Sequence, residues 1–454
     1  MATPRSVSFY TLGCKLNYSE SSSIGRSFES KGFGIIPFEE GADVVVINTC
    51  SVTDFADRKN RKVIRKAQSY NPNSVIVVVG CYAQLKPEEI ANIPGVDLIL
   101  GAGEKFRILH YIDNLVKQDG KAVIHTAEIE EINAFEDAYS FGDRTRSFLK
   151  VQDGCDYLCT YCTIPQARGK SRSGSIEEVV ANAKKIAAKG VKEIVLTGVN
   201  IGDFGNSTEI IEGSREKTRT MFIDLVKALD KVEGIVRFRI SSIEPNLITD
   251  ELIDFVADST RFVPHFHIPL QSGSDSILKK MKRRYLTDLY SAKIARIRSK
   301  MPYASIGVDV IVGFPGESNE LFLESFEYVR QLDVSYLHVF TYSERKNTPA
   351  FSMDGKVPLE VRRERNSMLS QLSLKKQKAF YDRFIGDTRK VLVEKSKKAD
   401  TLTGFTDNYL KVEFPFEEGL RNELIDVKLK GVNIEYNMDA ELLSKPQNHL
   451  YLHP

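Results

Sequence analysis

The chain has no tryptophan and only six cysteines among 454 residues. Thiols so sparse do not make the disulfide framework of a short secreted protein. No stretch reaches the apolar length of a membrane span, and residues 1–10 lack the hydrophobic core of a secretory signal. The cytoplasm is therefore the expected compartment, with no membrane partner. Charge of one sign is missing as well: 63 Lys and Arg face 61 Asp and Glu, a net charge of +2. A polyanion must then be held by local basic patches, for which residues 59–66, 279–284 and 375–398 are candidates. Taken singly, each such run also reads as a solvated helix face.

What is present is material for several cores. Hydrophobic residues make up 42% and charged residues 27% of a chain longer than one hydrophobic core sustains, so two to three domains are expected. From residue 7 to about 130, short apolar strands alternate with amphipathic helical stretches, the pattern of an open parallel α/β sheet. Residues 7–11, 44–49 and 75–80 read as strands, and they lead to Cys14, Cys50 and Cys81. Ligands gather at the carboxyl ends of parallel strands, so three thiols are expected to converge there. An aperiodic polar stretch, residues 128–146, reads as a linker. A second domain, residues 141–375, carries six strand candidates at 148–152, 193–197, 236–240, 264–270, 305–312 and 335–341. Each but the last is followed by helical sequence, which argues an incomplete β/α barrel. The tail, residues 383–454, alternates apolar and polar residues at 389–394, 409–414 and 424–429, as a small antiparallel β-barrel does. The expected fold class is α/β: an open parallel sheet domain, a central partial (β/α)6 barrel and a small C-terminal β-barrel.

The densest chemical signal is GCDYLCTYC, where Cys155, Cys159 and Cys162 follow the first barrel strand with C-x-x-x-C-x-x-C spacing. Three thiolates on one loop can hold three irons of a cubane cluster and leave the fourth open to a ligand. The rival is structural zinc, which wants a fourth protein ligand and two-residue gaps between paired cysteines. This loop, with the aromatic Tyr161 before the last cysteine, resembles the radical S-adenosylmethionine (SAM) superfamily. The resemblance implies a 4Fe-4S cluster whose open iron binds SAM and whose electron cleaves it to a 5'-deoxyadenosyl radical. It also implies SAM contacts at the strand ends: Gly198 to Asn200 toward the methionine moiety, Ser241 and Glu244 toward ribose or carboxylate, and Gly313 to Glu317 near the adenine. Their plainer readings are turn glycines and helix caps.

Cys14, Cys50 and Cys81 share a position rather than a spacing, and alone they read equally as buried structural thiols. Their surroundings, TLGCKLNYSES, NTCSVTDFADRKNRKVIRKA and VVVGCYAQ, resemble the N-terminal domain of the methylthiotransferase family. HIPLQSGSD and VDVIVGFPGES are similar to its later barrel segments, and the tail resembles its RNA-binding TRAM domain. The resemblance implies a second, auxiliary 4Fe-4S cluster on Cys14, Cys50 and Cys81. It implies a reaction in which one SAM methylates a cluster-bound sulfur and a second SAM supplies the radical that activates the C2 position of an adenosine in tRNA. NTCSVT and TLGCKLN are most similar to the branch acting on threonylcarbamoyladenosine beside the anticodon. The alternatives are the branch for isopentenyladenosine and the one for a ribosomal-protein side chain, or, outside enzymology, a zinc-stabilised RNA-binding module. Gln166 departs from the aromatic usual in the first branch at CTIPQARG. An electron donor such as flavodoxin or ferredoxin is implied, and the sulfur donor is left open. Arg389, Lys390, Lys395, Lys397 and Lys398 are the expected phosphate contacts, with Phe405 and Tyr409 read as stacking surfaces or, more simply, as core. Arg168 is expected to face the pocket or a surface carboxylate, and His265 and His267 to line the pocket or the core. Two substitutions separate the trios: Cys159→Ala should end SAM cleavage, whereas Cys50→Ala should keep cleavage and lose sulfur transfer, read by 5'-deoxyadenosine release and nucleoside analysis.

Overall fold

Val44–Thr49 (VVVINT) and Val75–Gly80 (VIVVVG) are buried at every position, as strands covered on both faces must be. In the computed structural model, which describes residues 5–112, 122–142, 145–205, 221–396 and 398–443, they are central strands of a six-stranded sheet. Alternate residues feed two cores: Val45, Ile47, Ile76 and Val78 on one face, Val44, Val46, Val77 and Val79 on the other. The strand order is Gly34–Ile35, Ser6–Thr11, Val44–Thr49, Val75–Gly80, Val96–Leu100 and Val123–His125, and every pairing is parallel. The direction of winding reverses between Ser6–Thr11 and Val44–Thr49. Connections leave those two strands toward opposite faces and open a crevice at their carboxyl ends. Cys14 and Cys50 flank it, and Cys81 begins the turn after the next strand.

Six parallel strands follow in the middle of the chain: Ser147–Lys150, Glu193–Thr197, Arg237–Ile240, His265–His267, Ser305–Val312 and Tyr336–Thr341. They form two three-stranded sheets, linked by the bridges Phe238 to Phe262 and Ser242 to His267. The six expected strands are thus all present. Their outward residues join one large core with the surrounding helices. The helix Ile176–Ala187 starts at a capping box, in which Ser175 and Glu178 each satisfy the other's backbone N–H. Six strands instead of eight leave the barrel open along one side, and the N-terminal domain lies against that side. The expected linker contains a helical turn at Ile129–Glu131, and its Tyr139 bridges to Leu149.

The tail is a closed five-stranded barrel in the order Thr388–Lys395, Thr401–Thr406, Lys411–Pro415, Met438–Leu442 and Leu424–Val432. One of its pairings, Lys411–Pro415 with Met438–Leu442, is parallel, so the barrel is not purely antiparallel. The expected division near residues 375–383 falls at the end of one long helix, Leu359–Asp382, which packs on the last barrel strand. No helix among the described residues is long and apolar enough to cross a membrane.

The first two units meet through buried charge. Glu20 of the N-terminal helix contacts Lys105 at 2.7 Å, Arg168 at 3.0 Å and Lys150 at 3.4 Å, while Asp153 contacts Lys150 at 2.8 Å, Arg168 at 2.9 Å and Arg172 at 3.2 Å. Burial pushes the Glu20 carboxyl up, but Arg168, Lys105 and Lys150 together outweigh it and hold it at about 2. A carboxyl depressed in the fold contributes stability that is complete above its ordinary pKa of about 4.3 and is lost as pH falls toward 2. Acid titration followed by near-UV circular dichroism should show that loss between about pH 4 and pH 2. Arg168→Met, which strips Glu20 and Asp153 of a shared cation, should cost roughly 3–5 kcal/mol at neutral pH in denaturant melts.

Candidate active site between the sheet and the barrel

The first cysteine trio is assembled by tight backbone turns. Gly80, at φ +95°, precedes Cys81 so closely to its neighbours that a Cβ there would lie 2.5 Å from both the Asn48 Oδ1 and the Thr49 carbonyl oxygen. Only glycine fits that approach. Asn17 donates to the carbonyls of Leu12 at 2.8 Å and Thr49 at 3.1 Å, tying the Cys14 loop to the Cys50 loop. Asn60 donates to the Cys50 carbonyl at 2.6 Å. The three thiols stand within electrostatic reach of one another. Burial, reinforced by Cys81, pushes the Cys50 thiol up to about 12, and burial also raises Cys81.

The second trio lies on the loop after the first barrel strand. Gly154, at φ +70°, is another forced glycine, since a Cβ would sit 1.9 Å from the Lys170 carbonyl oxygen. Backbone N–H groups of Tyr157 and Ile164 point at the Cys155 and Cys162 sulfurs, at 3.4 Å and 3.5 Å. Arg283 donates to the Cys159 sulfur at 3.1 Å and to the Tyr161 hydroxyl at 3.4 Å, and it pairs with Glu244. Burial drives Cys155 and Cys162 to about 12 and raises Cys159. The helical turns Cys81–Leu85 and Ile164–Arg168 pack together, so the two trios share one interface.

The expected SAM contacts differ in how free they are. Gln152 accepts from the Val199 and Asn200 N–H groups at 3.0 Å and 2.8 Å, which fixes the loop Gly198 to Asn200 over the strand ends. The Asn200 amide is buried with neither its nitrogen nor its oxygen partnered, a pair of polar atoms shaped for a bound ligand. Ser241 is buried at the end of the third strand. Glu244 is engaged by Arg283, and Glu317 accepts from Gly313 N–H at 2.8 Å and pairs with Arg365 at 2.7 Å. Glu317 therefore holds the GFPGE turn in shape. Tyr161 packs edge-on against Phe314, with ring centroids 6.3 Å apart.

The donor sets fit iron-sulfur clusters. Each trio offers three free thiols that feel one another's charge. Among the described residues no three ligands surround the single point that one metal ion needs. A cubane asks for something else, because its irons occupy separate corners and its thiolates stand farther apart. Four cations around Glu20 and Asp153 leave an excess of positive charge, and Arg168 and Lys105 direct it at Cys81, as an anionic cluster requires.

Comparison with known proteins agrees. The Radical SAM superfamily profile matches residues 149–329, and that of the uncharacterized protein family UPF0004 matches residues 6–101. The chain is 40% identical over 438 residues to the threonylcarbamoyladenosine tRNA methylthiotransferase MtaB of Bacillus subtilis, covering 95% of both chains. The chain belongs to this methylthiotransferase family. A second MtaB, from Thermotoga maritima, is 37% identical over 90% of this chain and 91% of its own. The tRNA-2-methylthio-N(6)-dimethylallyladenosine synthase of Clostridium tetani is 32% identical over 95% of each. The fold also matches the radical SAM methyltransferase TsrM of Kitasatospora setae, with a TM-score of 0.54 and 14% identity over 77% of both chains. As radical SAM enzymes, members of the family use SAM and a 4Fe-4S cluster.

Several residues of this methylthiotransferase escaped the sequence reading. Arg283 looked like part of a basic surface run, yet it sits at the Cys159 sulfur while its neighbour Arg284 covers Tyr157 at 3.8 Å. Arg345 crosses from the barrel to Asp57 at 2.9 Å and Ser51 at 2.8 Å, beside Cys50. Arg168 is buried against Glu20, Asp153 and Asn17 rather than paired at the surface. Gln166 donates to the Asn347 carbonyl at 2.7 Å. His265 is buried, whereas His267 reaches Asp309 at 2.8 Å. Phe405 and Tyr409 stack on each other at 4.7 Å and pack under Arg146 and Arg239, so they belong to the interface between the barrels. Arg283→Met should keep the iron content and slow dithionite-driven SAM cleavage roughly 10–100-fold, because hydrogen bonds to ligand sulfur tune a cluster.

Proposed function

We propose that the chain converts N6-threonylcarbamoyladenosine beside the tRNA anticodon to its 2-methylthio derivative, in the space between its two cysteine trios. The full-length similarity to the MtaB enzymes, together with two thiol trios on facing sides of one interface, carries this reading. Cys155, Cys159 and Cys162 would hold the cluster whose electron cleaves SAM, and Cys14, Cys50 and Cys81 would hold one that carries the sulfur to be transferred. An aromatic carbon-hydrogen bond has no acidic proton, so side chains act here by orientation rather than as bases.

The protein's own work is to position. Asn200 offers a partnerless amide to the polar end of SAM, and Gln152 keeps its loop in place. Tyr161, Ser241 and the Gly313 turn complete the wall, with Glu244 and Glu317 holding Arg283 and the turn. Large apolar side chains close to Cys50 and Cys159 in the chain stay exposed, namely Val52, Phe55 and Leu158. They suit the bases of an unstacked anticodon loop, which single-strand readers grip by stacking. The tail, residues 383–454, acts as a TRAM-like RNA-binding domain. Its Lys390 pairs with Asp426, Arg389 with Asp407, and Lys398 with Glu413 and Glu435. Surface pairs of this kind are worth only about 0–1 kcal/mol, so phosphates can take the cations over. Lys395 is exposed on the same barrel, and Lys397 lies outside the described residues. Flavodoxin or ferredoxin is the class of electron donor.

Nucleosides from cells lacking the gene should lose methylthio-threonylcarbamoyladenosine while keeping its unthiolated precursor. Loss of the methylthiolated isopentenyl nucleoside instead would reassign the substrate. Anaerobically purified protein should contain about eight irons per chain.

A further inference from the structure

The two cysteine loops belong to different units, and one short segment of the barrel bonds to both. The last barrel strand, Tyr336–Thr341, leads into residues 342–350, which are fastened to the barrel at their start. The Tyr342 N–H donates to the Val312 carbonyl at 2.9 Å, and Arg362 donates to the Tyr342 carbonyl at 3.0 Å. From there the segment reaches the Cys50 loop. The Ser343 hydroxyl accepts from the Asp54 N–H at 3.2 Å, and the buried Arg345 guanidinium donates to the Asp57 carboxylate at 2.9 Å and to the Ser51 hydroxyl at 2.8 Å. A turn follows, in which the Thr348 N–H and hydroxyl both donate to the Arg345 carbonyl, at 3.0 Å and 2.7 Å. It brings the chain to the other loop. There Gln166 donates to the Asn347 carbonyl at 2.7 Å, and the Ala350 N–H donates at 2.9 Å to the carbonyl of Thr160, which lies between Cys159 and Tyr161.

The Cys50 loop depends on such bonds because its apolar side chains do not anchor it. Val52 and Phe55 are exposed, so residues 51–55 place no large apolar side chain in a core. Polar ties set its position instead. Asn60 holds the Cys50 carbonyl at 2.6 Å, Thr53 caps the Ala56 N–H at 3.2 Å, and the Asp57 carboxylate accepts from Ser51 at 2.6 Å, from Lys86 at 3.0 Å and from Arg345. Of these groups Arg345 alone comes from the barrel. Its planar fork spans two acceptors, which fixes an angle as well as a distance. The charges around Glu20 hold the helix after Cys14 to the barrel, and Arg345 does the same for the loop after Cys50.

We infer that residues 342–350 form a strap that keeps the two cysteine loops in register, and that Arg345 is a positioning residue coupling SAM cleavage at one loop to sulfur transfer from the other. The inference rests on the function proposed above. A radical formed at one loop is productive only while the sulfur to be transferred stands within reach, and a misplacement of about 1 Å can cost up to roughly 100-fold. The Arg345 guanidinium is buried and taken up by Asp57 and Ser51, so its part is geometry rather than contact with RNA.

The test counts 5'-deoxyadenosine released and methylthio nucleoside formed by reconstituted enzyme on an anticodon stem-loop bearing threonylcarbamoyladenosine. Arg345→Met should keep its iron and its rate of SAM cleavage while forming roughly ten-fold less product per SAM cleaved. Arg345→Lys should recover part of the coupling, since an ammonium offers no fork for two acceptors. Hydrogen exchange reads the strap without turnover: in Arg345→Met the amides of residues 51–57 should exchange at least roughly ten-fold faster, with those of residues 75–80 unchanged. Ser343→Ala combined with Gln166→Ala removes only exposed bonds and should lower the product per cleavage in the same direction. This double variant decides the question if Arg345→Met does not load iron. Coupling equal to that of wild type, or unchanged exchange at residues 51–57 in Arg345→Met, overturns the strap. A wild type that cleaves SAM but leaves this stem-loop unmodified overturns the function proposed above, and the inference with it.

Discussion

Everything in the site depends on how Glu20 is neutralised. One buried carboxylate on the N-terminal helix is shared by Lys105 from its own domain and by Lys150 and Arg168 from the barrel. Moving the two units apart would leave these charges dry and unmatched, at a cost far above that of a surface pair. The docking angle is thereby restricted. Because Arg168 closes the loop that carries Cys155, Cys159 and Cys162, and Glu20 lies six residues beyond Cys14, the network also sets the distance between the two thiol trios. Its surplus of cations is directed at Cys81, which makes one network both a hinge pin and a counter-charge.

The open barrel is the second constraint. Six strands cannot close, so the lumen needs walls from elsewhere. The N-terminal domain packs against the first barrel strand, and Arg345 ties the last strand's loop to Asp57 beside Cys50. At the other end Arg237 and Arg239 donate to the carbonyls of Lys390 and Thr406, drawing the C-terminal barrel under the floor. The C-terminal barrel is thereby held directly against the central one. The result is a central barrel packed by both other units, with a column of histidines and tyrosines on the inner face of its last strands.

Such a division suits a family whose members share one reaction and differ in the group carried by the adenine. The cysteine loops follow strand ends, as do the Gln152 brace and the unpartnered Asn200 amide. His267 and His338 stack on the inner face of the last barrel strands.

The chemistry was legible in the chain because it is local. C-x-x-x-C-x-x-C on a strand-following loop needs no partner to be read, and glycines at 80 and 154 before cysteines mark turns that no side chain permits. The strands were legible too, since a run such as VIVVVG tolerates only a place buried on both faces. Arg283, Arg168 and Arg345 carried no such mark. A cation in a sequence looks the same whether it faces water, a carboxylate or a thiol, and its role is assigned only when distant segments pack around it. The reading of Phe405 and Tyr409 as either RNA platforms or core was open for the same reason, and packing against Arg146 and His265 decided it. Sequence alone determined which thiols stand at strand ends and which strands deliver them. Tertiary structure decided what they face, because burial and charge pairing are properties of neighbours that the linear order does not hold.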